Sequence, residues 1–217
     1  MNRAFSLLVI GAALCAATHK AAAAEDNWRF DVLLDGKSIG YHHFQLRSDG
    51  TQRELLSEAR FNVKILFVNV YHYAHDAHEF WDDDCLKRID SSTDDNGKQR
   101  SVRGTRSEQR FTVATKERTD ELTSCVMTFA YWNPHILDAT HLLNPQTGEY
   151  VPVHITRIGA ESVTARGISQ PADHYRLIGD ATIGGKLQID LWYSPNKDWL
   201  ALESLSENGR ILRYQIP

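Results

Sequence analysis

Reactive side chains are densest where the chain reads Tyr71-His72-Tyr73-Ala74-His75-Asp76-Ala77-His78-Glu79. His72, His75 and His78 recur at every third position. On a helix that spacing stacks the imidazoles on one face, a ligand set suited to zinc or copper. On a strand the parity differs: His72, Asp76 and His78 share one face, and His75 and Glu79 take the other. The preceding Phe67-Val68-Asn69-Val70-Tyr71 is rich in β-prone residues and favours the strand. A metal site would then use His72 and His78 with a donor from another strand, for which His42 or His43 would serve. The alternative is a strand carrying polar His and Tyr into a partly wet cavity, each bonded to backbone or carboxylate.

Other reactive clusters carry less. Asp82-Asp83-Asp84 groups three acids, but consecutive residues splay apart and acidic hairpin tips are common. Ser92-Thr93-Asp94-Asp95-Asn96-Gly97 begins like a calcium loop, yet Ser92 stands where Asp is needed and Arg103 where Glu closes the loop. Asn96-Gly97 reads as a hairpin turn instead. A Ser-His-Asp or Cys-His constellation is spatial and has no obligatory spacing, and the chain carries no G-x-S-x-G, H-E-x-x-H or P-loop motif. The reading therefore leans away from an enzyme, with no cofactor beyond the zinc or copper considered for the histidines.

The chain holds 5 Trp, 8 Tyr and 8 Phe. Aromatics around a concave surface, with a few placed polar groups, build pockets for small apolar ligands. Phe129, Tyr131, Trp132, His135, Leu142 and Trp192 are the candidate lining residues. The competing account is that Trp28, Phe61, Phe67, Trp132 and Trp192 fill a core. Trp192 fits that account least, because it falls on the polar face of its strand.

The elements that must position these groups are strands. Trp28, Phe30, Val32 and Leu34 alternate with mostly polar neighbours, and so do Leu55, Ser57, Ala59, Phe61 and Val63. Leu187, Ile189, Leu191 and Tyr193, then Leu212, Tyr214 and Ile216, repeat the pattern. Period-two alternation means half-buried strands. Asp35-Gly36, Asp49-Gly50, Asn96-Gly97, Gly184-Gly185 and Asn208-Gly209 are hairpin turn pairs, so successive strands run antiparallel. The chain is expected to be mainly β, a single strongly curved antiparallel sheet, barrel or half-barrel of about ten strands. Asp120–Pro145 breaks the rhythm. Asn133-Pro134 can open a short helix there, and the aromatic-rich remainder would pack across the sheet as a plug or lid.

Composition limits the partners. With 217 residues and a formal charge of −4, the chain has no general attraction for nucleic acid. Residues 1–24 read as a secretory signal: Arg3, the apolar run Leu7–Leu14, then Ala22-Ala23-Ala24 before the cut. Cys15 lacks the lipobox Leu three positions earlier and would leave with the signal. Residues 25–217 are read as one domain in the periplasm or secreted, with charge −6 once Arg3 and Lys20 are lost. No later stretch has the length of a membrane-spanning helix. Cys85 and Cys125 remain, and an oxidising compartment favours a disulfide over a catalytic thiol. The loop it closes would restrict the unfolded chain by about 4 kcal/mol.

Three stretches, Leu34–Gly40, Phe129–Pro134 and Leu142–Gly148, make the chain resemble an uncharacterised secreted bacterial family, a domain of unknown function. The closing Leu191–Asn196 with its two following strands is similar to the end of exported half-barrels of the lipoprotein-carrier type. The resemblance implies a barrel or half-barrel with an apolar concavity, and it brings no catalytic residues. The expected function is binding of a lipid, acyl chain or other apolar molecule in that concavity. The alternatives are a metal site at His72, His75 and His78, or an envelope interaction module with no small-molecule site. Oligomeric state is not legible.

Overall fold

The computed structural model describes residues 23–65, 68–183, 185–205 and 209–217. The signal segment lies outside them save its last two residues, as do Phe67, Gly184 and Asn208. Eight strands form the first meander: β1 (Ala24–Leu34), β2 (Lys37–Asp49), β3 (Gln52–Ile65), β4 (Val68–Asp82), β5 (Cys85–Asp95), β6 (Lys98–Arg106), β7 (Phe111–Ala114) and β8 (Thr119–Leu122). Six form the second: β9 (His141–Leu143), β10 (Tyr150–Ala165), β11 (Ile168–Ala181), β12 (Gly185–Tyr193), β13 (Trp199–Leu205) and β14 (Ile211–Gln215).

The meanders join where β1 pairs with β14, with Val32 opposite Tyr214. All fourteen strands lie in one sheet, ordered β8-β7-β6-β5-β4-β3-β2-β1-β14-β13-β12-β11-β10-β9. The sheet does not close, and β8 and β9 are its edges. The expected curved antiparallel sheet is therefore the observed one. It has more strands than the alternation reveals, because β7, β8 and β9 are only three or four residues long. The β10–β11 hairpin was also hidden. Many of its side chains are solvent-facing on both sides, and it turns on Arg166-Gly167, both at positive φ.

Turn chemistry sets the registers. Asp35-Gly36 and Asn96-Gly97 both hold positive φ, as two-residue hairpins between twisted strands require. At the β2–β3 turn the loop residues are Gly50 and Thr51, since Asp49 already pairs with Gln52. Gly40 is fixed by proximity: a Cβ there would lie 1.9 Å from the Arg60 carbonyl oxygen.

The connection from β8 to β9 runs between the two edges and packs against the inner face of the sheet. Asn133 caps a 3₁₀ helix, Pro134–Asp138, with Pro in its first turn as expected. Val126, Ala130, Trp132 and Ile136 from this segment are buried in the main core. Main-chain bonds tie it down, Leu86 N–H to the Val126 carbonyl and Leu143 N–H to the Met127 carbonyl, both 2.8 Å. Cys85 and Cys125 form a disulfide at its start. From the other half of the sheet, the Tyr193 hydroxyl donates to the Tyr131 carbonyl at 2.7 Å. Among the described residues no helix is long and apolar enough to cross a membrane.

Candidate functional site

Alternation and register stack the inner-facing residues of β2 to β5 in rows. His42, Ala59, His75 and Thr93 face one another across the four strands. The next row is Phe44, Ser57, Ala77 and Ser91, and the row beyond is Leu46, Leu55, Glu79 and Ile89. The middle of this wall carries two small side chains that face the cavity, Ser57 and Ala77. Their size leaves space between the sheet and the segment packed against it. The result is a cavity of about 380 Å³. Ile189, Leu202 and Leu212 line its other wall, and Phe129, Tyr131 and Trp132 come from the crossing segment.

Polar groups share the cavity lining with apolar ones, and the two imidazoles among them are uncharged. His42 Nε2 lies 2.7 Å from Ser57 Oγ, and its Nδ1 lies 3.3 Å from the Tyr214 hydroxyl. Burial holds His42 well below the usual imidazole range, with smaller contributions from His75 and His43. His75 Nδ1 is 2.9 Å from Thr93 Oγ1, and burial lowers its pKa to about 4. Both imidazoles are thus neutral near pH 7. The Ser57–His42 contact has the spacing of a nucleophile and its general base, but the group on Nδ1 is a phenol instead of a carboxylate. It can equally donate to or accept from a ligand hydroxyl or carbonyl.

Glu79 lies four residues beyond His75 along β4, and only 3% of it is exposed. Burial raises its pKa to about 7, although the Trp81 indole N–H (3.0 Å) and the Thr128 hydroxyl (3.2 Å) donate to its Oε2. Beside it the protein is closed by Trp81, whose ring meets that of Trp132 edge to face. Asp95 and Arg100 also line the cavity, with Arg100 Nη1 3.3 Å from Asp95 Oδ2.

The structure brings Phe129, Tyr131 and Trp132 to this cavity, and places the other candidate lining residues elsewhere. His135 is exposed, its Nε2 3.7 Å from Asp84. Leu142 is fully buried in the core. Trp192 is buried as part of the main core cluster, against the expectation from its polar strand face, stacks on His174 and donates to Glu161 at 2.7 Å.

The histidine reading needs a correction: His72, His75 and His78 do not converge. His75 faces inward, whereas His72 lies 3.2 Å from Asp94 and His78 2.7 Å from Glu54 on the outer face. Strand parity separates them, and it also puts His42 inside and His43 outside. Among the described residues no group of three or more His, Cys, Asp or Glu is placed to hold a zinc or copper ion. A second depression of about 470 Å³ includes His43, Glu58, Asp76, His78 and Asp90. It is largely polar and lacks the aromatic lining of the inner cavity.

Ser57 and Tyr214 are the site residues that no motif marks, and Glu79, set by the sequence on the face of His75, had no role assigned. The signal for Ser57 was a hydroxyl at an apolar parity position, between Leu55 and Ala59. For Glu79 it was a carboxylate sharing the inward parity of His75.

No curated protein matches the sequence. The fold is similar to the crystal structure of a β-barrel-like protein of the domain of unknown function DUF1849 from Brucella abortus, with a TM-score of 0.66. The two share 11% identity over 88% of this chain and 94% of the other, a likeness of fold alone. Residues 30–216 match the family described as Domain of unknown function (DUF6134), which spans the sheet, the crossing segment and the inner cavity. The chain belongs to that family.

Proposed function

We propose that the protein holds an apolar or amphipathic molecule, of the lipid or acyl-chain class, in the inner cavity, and that it does so after export from the cytoplasm. The observation that carries the reading is the cavity itself. About 380 Å³ of space is walled by aliphatic and aromatic side chains interspersed with polar groups, among them His42, Ser57, His75, Glu79 and the Asp95–Arg100 pair. Pockets of roughly 300–1,000 Å³ with this balance are typical of small-molecule sites. Small residues at inward positions support it, since a wall built only to fill a core would carry larger ones there. Export is supported by the signal pattern of residues 1–24 and by a disulfide, which persists in oxidising compartments.

Protein from an exporting host, extracted gently and analysed by mass spectrometry, is expected to release a lipid or acyl compound. Ala77→Phe, which fills the cavity from the middle of its wall, is expected to release far less. Clean extracts from both proteins, together with a partner recovered from the envelope, would favour an interaction module instead. The mass of the exported chain should correspond to a start at Glu25.

A further inference from the structure

We propose that Glu79 sets the charge selectivity of the cavity, admitting amphiphiles whose buried head is an amine or an uncharged hydrogen-bond donor and rejecting alkyl carboxylates. The inference rests on the cavity reading above and adds the chemical class of the ligand head.

Glu79 is faced by groups from several elements. From its own strand come the Trp81 indole, which donates to Oε2, and neutral His75. The crossing segment supplies the Thr128 hydroxyl, which donates to the same oxygen. Neighbouring β3 and β5 place Leu55 and Ile89 opposite it, both apolar. From β2 and β14 the titratable groups in the cavity are neutral His42 and the Tyr214 phenol, and burial pushes that phenol up. Among the described lining residues, Arg100 is the one permanent cation, and Asp95 holds it. Arg53, on the same face of β3 as Leu55, lies over the Trp132 ring at 5.5 Å and 3.7 Å from Asp84, so no cation among the described lining residues is placed to offset a carboxylate at Glu79.

Both donors fall on Oε2, and no described residue donates to Oε1. A ligand entering this space meets a carboxyl oxygen with acceptor capacity to spare. An alkylammonium would supply the missing charge and a charge-assisted hydrogen bond. The ring of Phe129, lining the same cavity, adds a favourable surface for a cation. An alcohol would donate to Oε1 without the charge. A carboxylate would bring a second negative charge into a low-dielectric space where like charges are costly.

Three ten-carbon probes that differ only in the head, decylamine, 1-decanol and decanoate, separate these outcomes by calorimetric titration at pH 6 and pH 8. The wild-type protein at pH 8 is expected to bind decylamine about tenfold more tightly than decanol. Decanoate is expected to bind most weakly. Raising the pH from 6 to 8 should strengthen decylamine and weaken decanoate, changing decanol least. Glu79→Gln should weaken decylamine about tenfold at pH 8 and improve decanoate. Decanoate binding the wild-type protein as tightly as decylamine at pH 8 would overturn the selectivity, and that comparison needs no variant. Equal binding of all three would overturn it while sparing the cavity reading. Failure of all three to bind would remove both.

Discussion

The two faces of β4 carry the same residue types in opposite circumstances. On the outer face, His72 and His78 lie beside carboxylates, Asp94 and Glu54, in contact with solvent. On the inner face, His75 and Glu79 are each 3% exposed and stand among small, aromatic and aliphatic groups. A period of two thus divides one histidine-rich run into a solvated surface and the polar wall of a cavity. Spacing alone makes the three imidazoles equivalent on a helix, whereas the strand parity expected from the sequence separates His75 from the other two. The faces show that residue type says little until parity assigns the surroundings, because burial decides which protonation state persists.

The sharpest contrast between the faces should appear in stability. Trp81 is fully buried, and its indole also holds Glu79. Trp81→Ala is expected to cost about 3–5 kcal/mol in denaturant unfolding, as large aromatic truncations in cores do. A cost near zero would mean that the closed side of the cavity is not a packed core.

The segment that makes the inner face a cavity can be released on its own. Replacing Cys85 and Cys125 by Ser is expected to cost about 3–4 kcal/mol by freeing the 40-position loop. The loss should equal that seen when wild-type protein is reduced. Unchanged unfolding after reduction would show that packing alone holds the segment.

Acidity separates the inner groups from each other. Glu79 titrates near 7 in the fold against 4.5 when exposed, so its contribution is complete below pH 4.5 and is lost as pH rises towards 7. The loss is on the order of 3 kcal/mol. His75 runs the other way. It titrates near 4 in the fold against 6.5 when exposed, so its contribution is complete above pH 6.5 and is lost as pH falls towards 4. The two slopes oppose each other between about pH 4.5 and 6.5. In Glu79→Gln, stability should therefore rise with pH across that window more steeply than in the wild type. A parallel profile would place Glu79 in contact with water.

The outer face supplies the smallest expected effect. His78→Ala breaks a solvent-exposed pair with Glu54, and its unfolding free energy should stay within about 0.5 kcal/mol of wild type. A loss comparable to that of Trp81→Ala would erase the distinction between the faces.

Much of this architecture was legible in the residues. Phe30 and Val32, then Leu55, Ala59 and Phe61, are buried where alternation placed them, and Asn133-Pro134 opens the short helix. The β10–β11 hairpin was not legible. Its strands lack a clean apolar face, and Arg166-Gly167 is a weaker turn pair than Asn-Gly. Of the site, Phe129, Tyr131 and Trp132 could be found because they interrupt the strand pattern. Leu142 and Trp192 could not be told from lining residues, since an apolar or aromatic residue reads alike whether it faces a cavity or packs in the core. The Ser57–His42 contact depends on the pairing of β2 with β3, a register that turn signals constrain but that motif spacing does not contain.

The central claim is that the inner cavity binds an amphiphile, and titration of 1-decanol into wild-type protein and Ala77→Phe tests it most directly, with melting temperature confirming that both are folded. The account predicts saturable binding to one site in the wild type, weakened at least about tenfold when Phe occupies the centre of the wall. Equal binding by the two folded proteins, or none by the wild type, would contradict it.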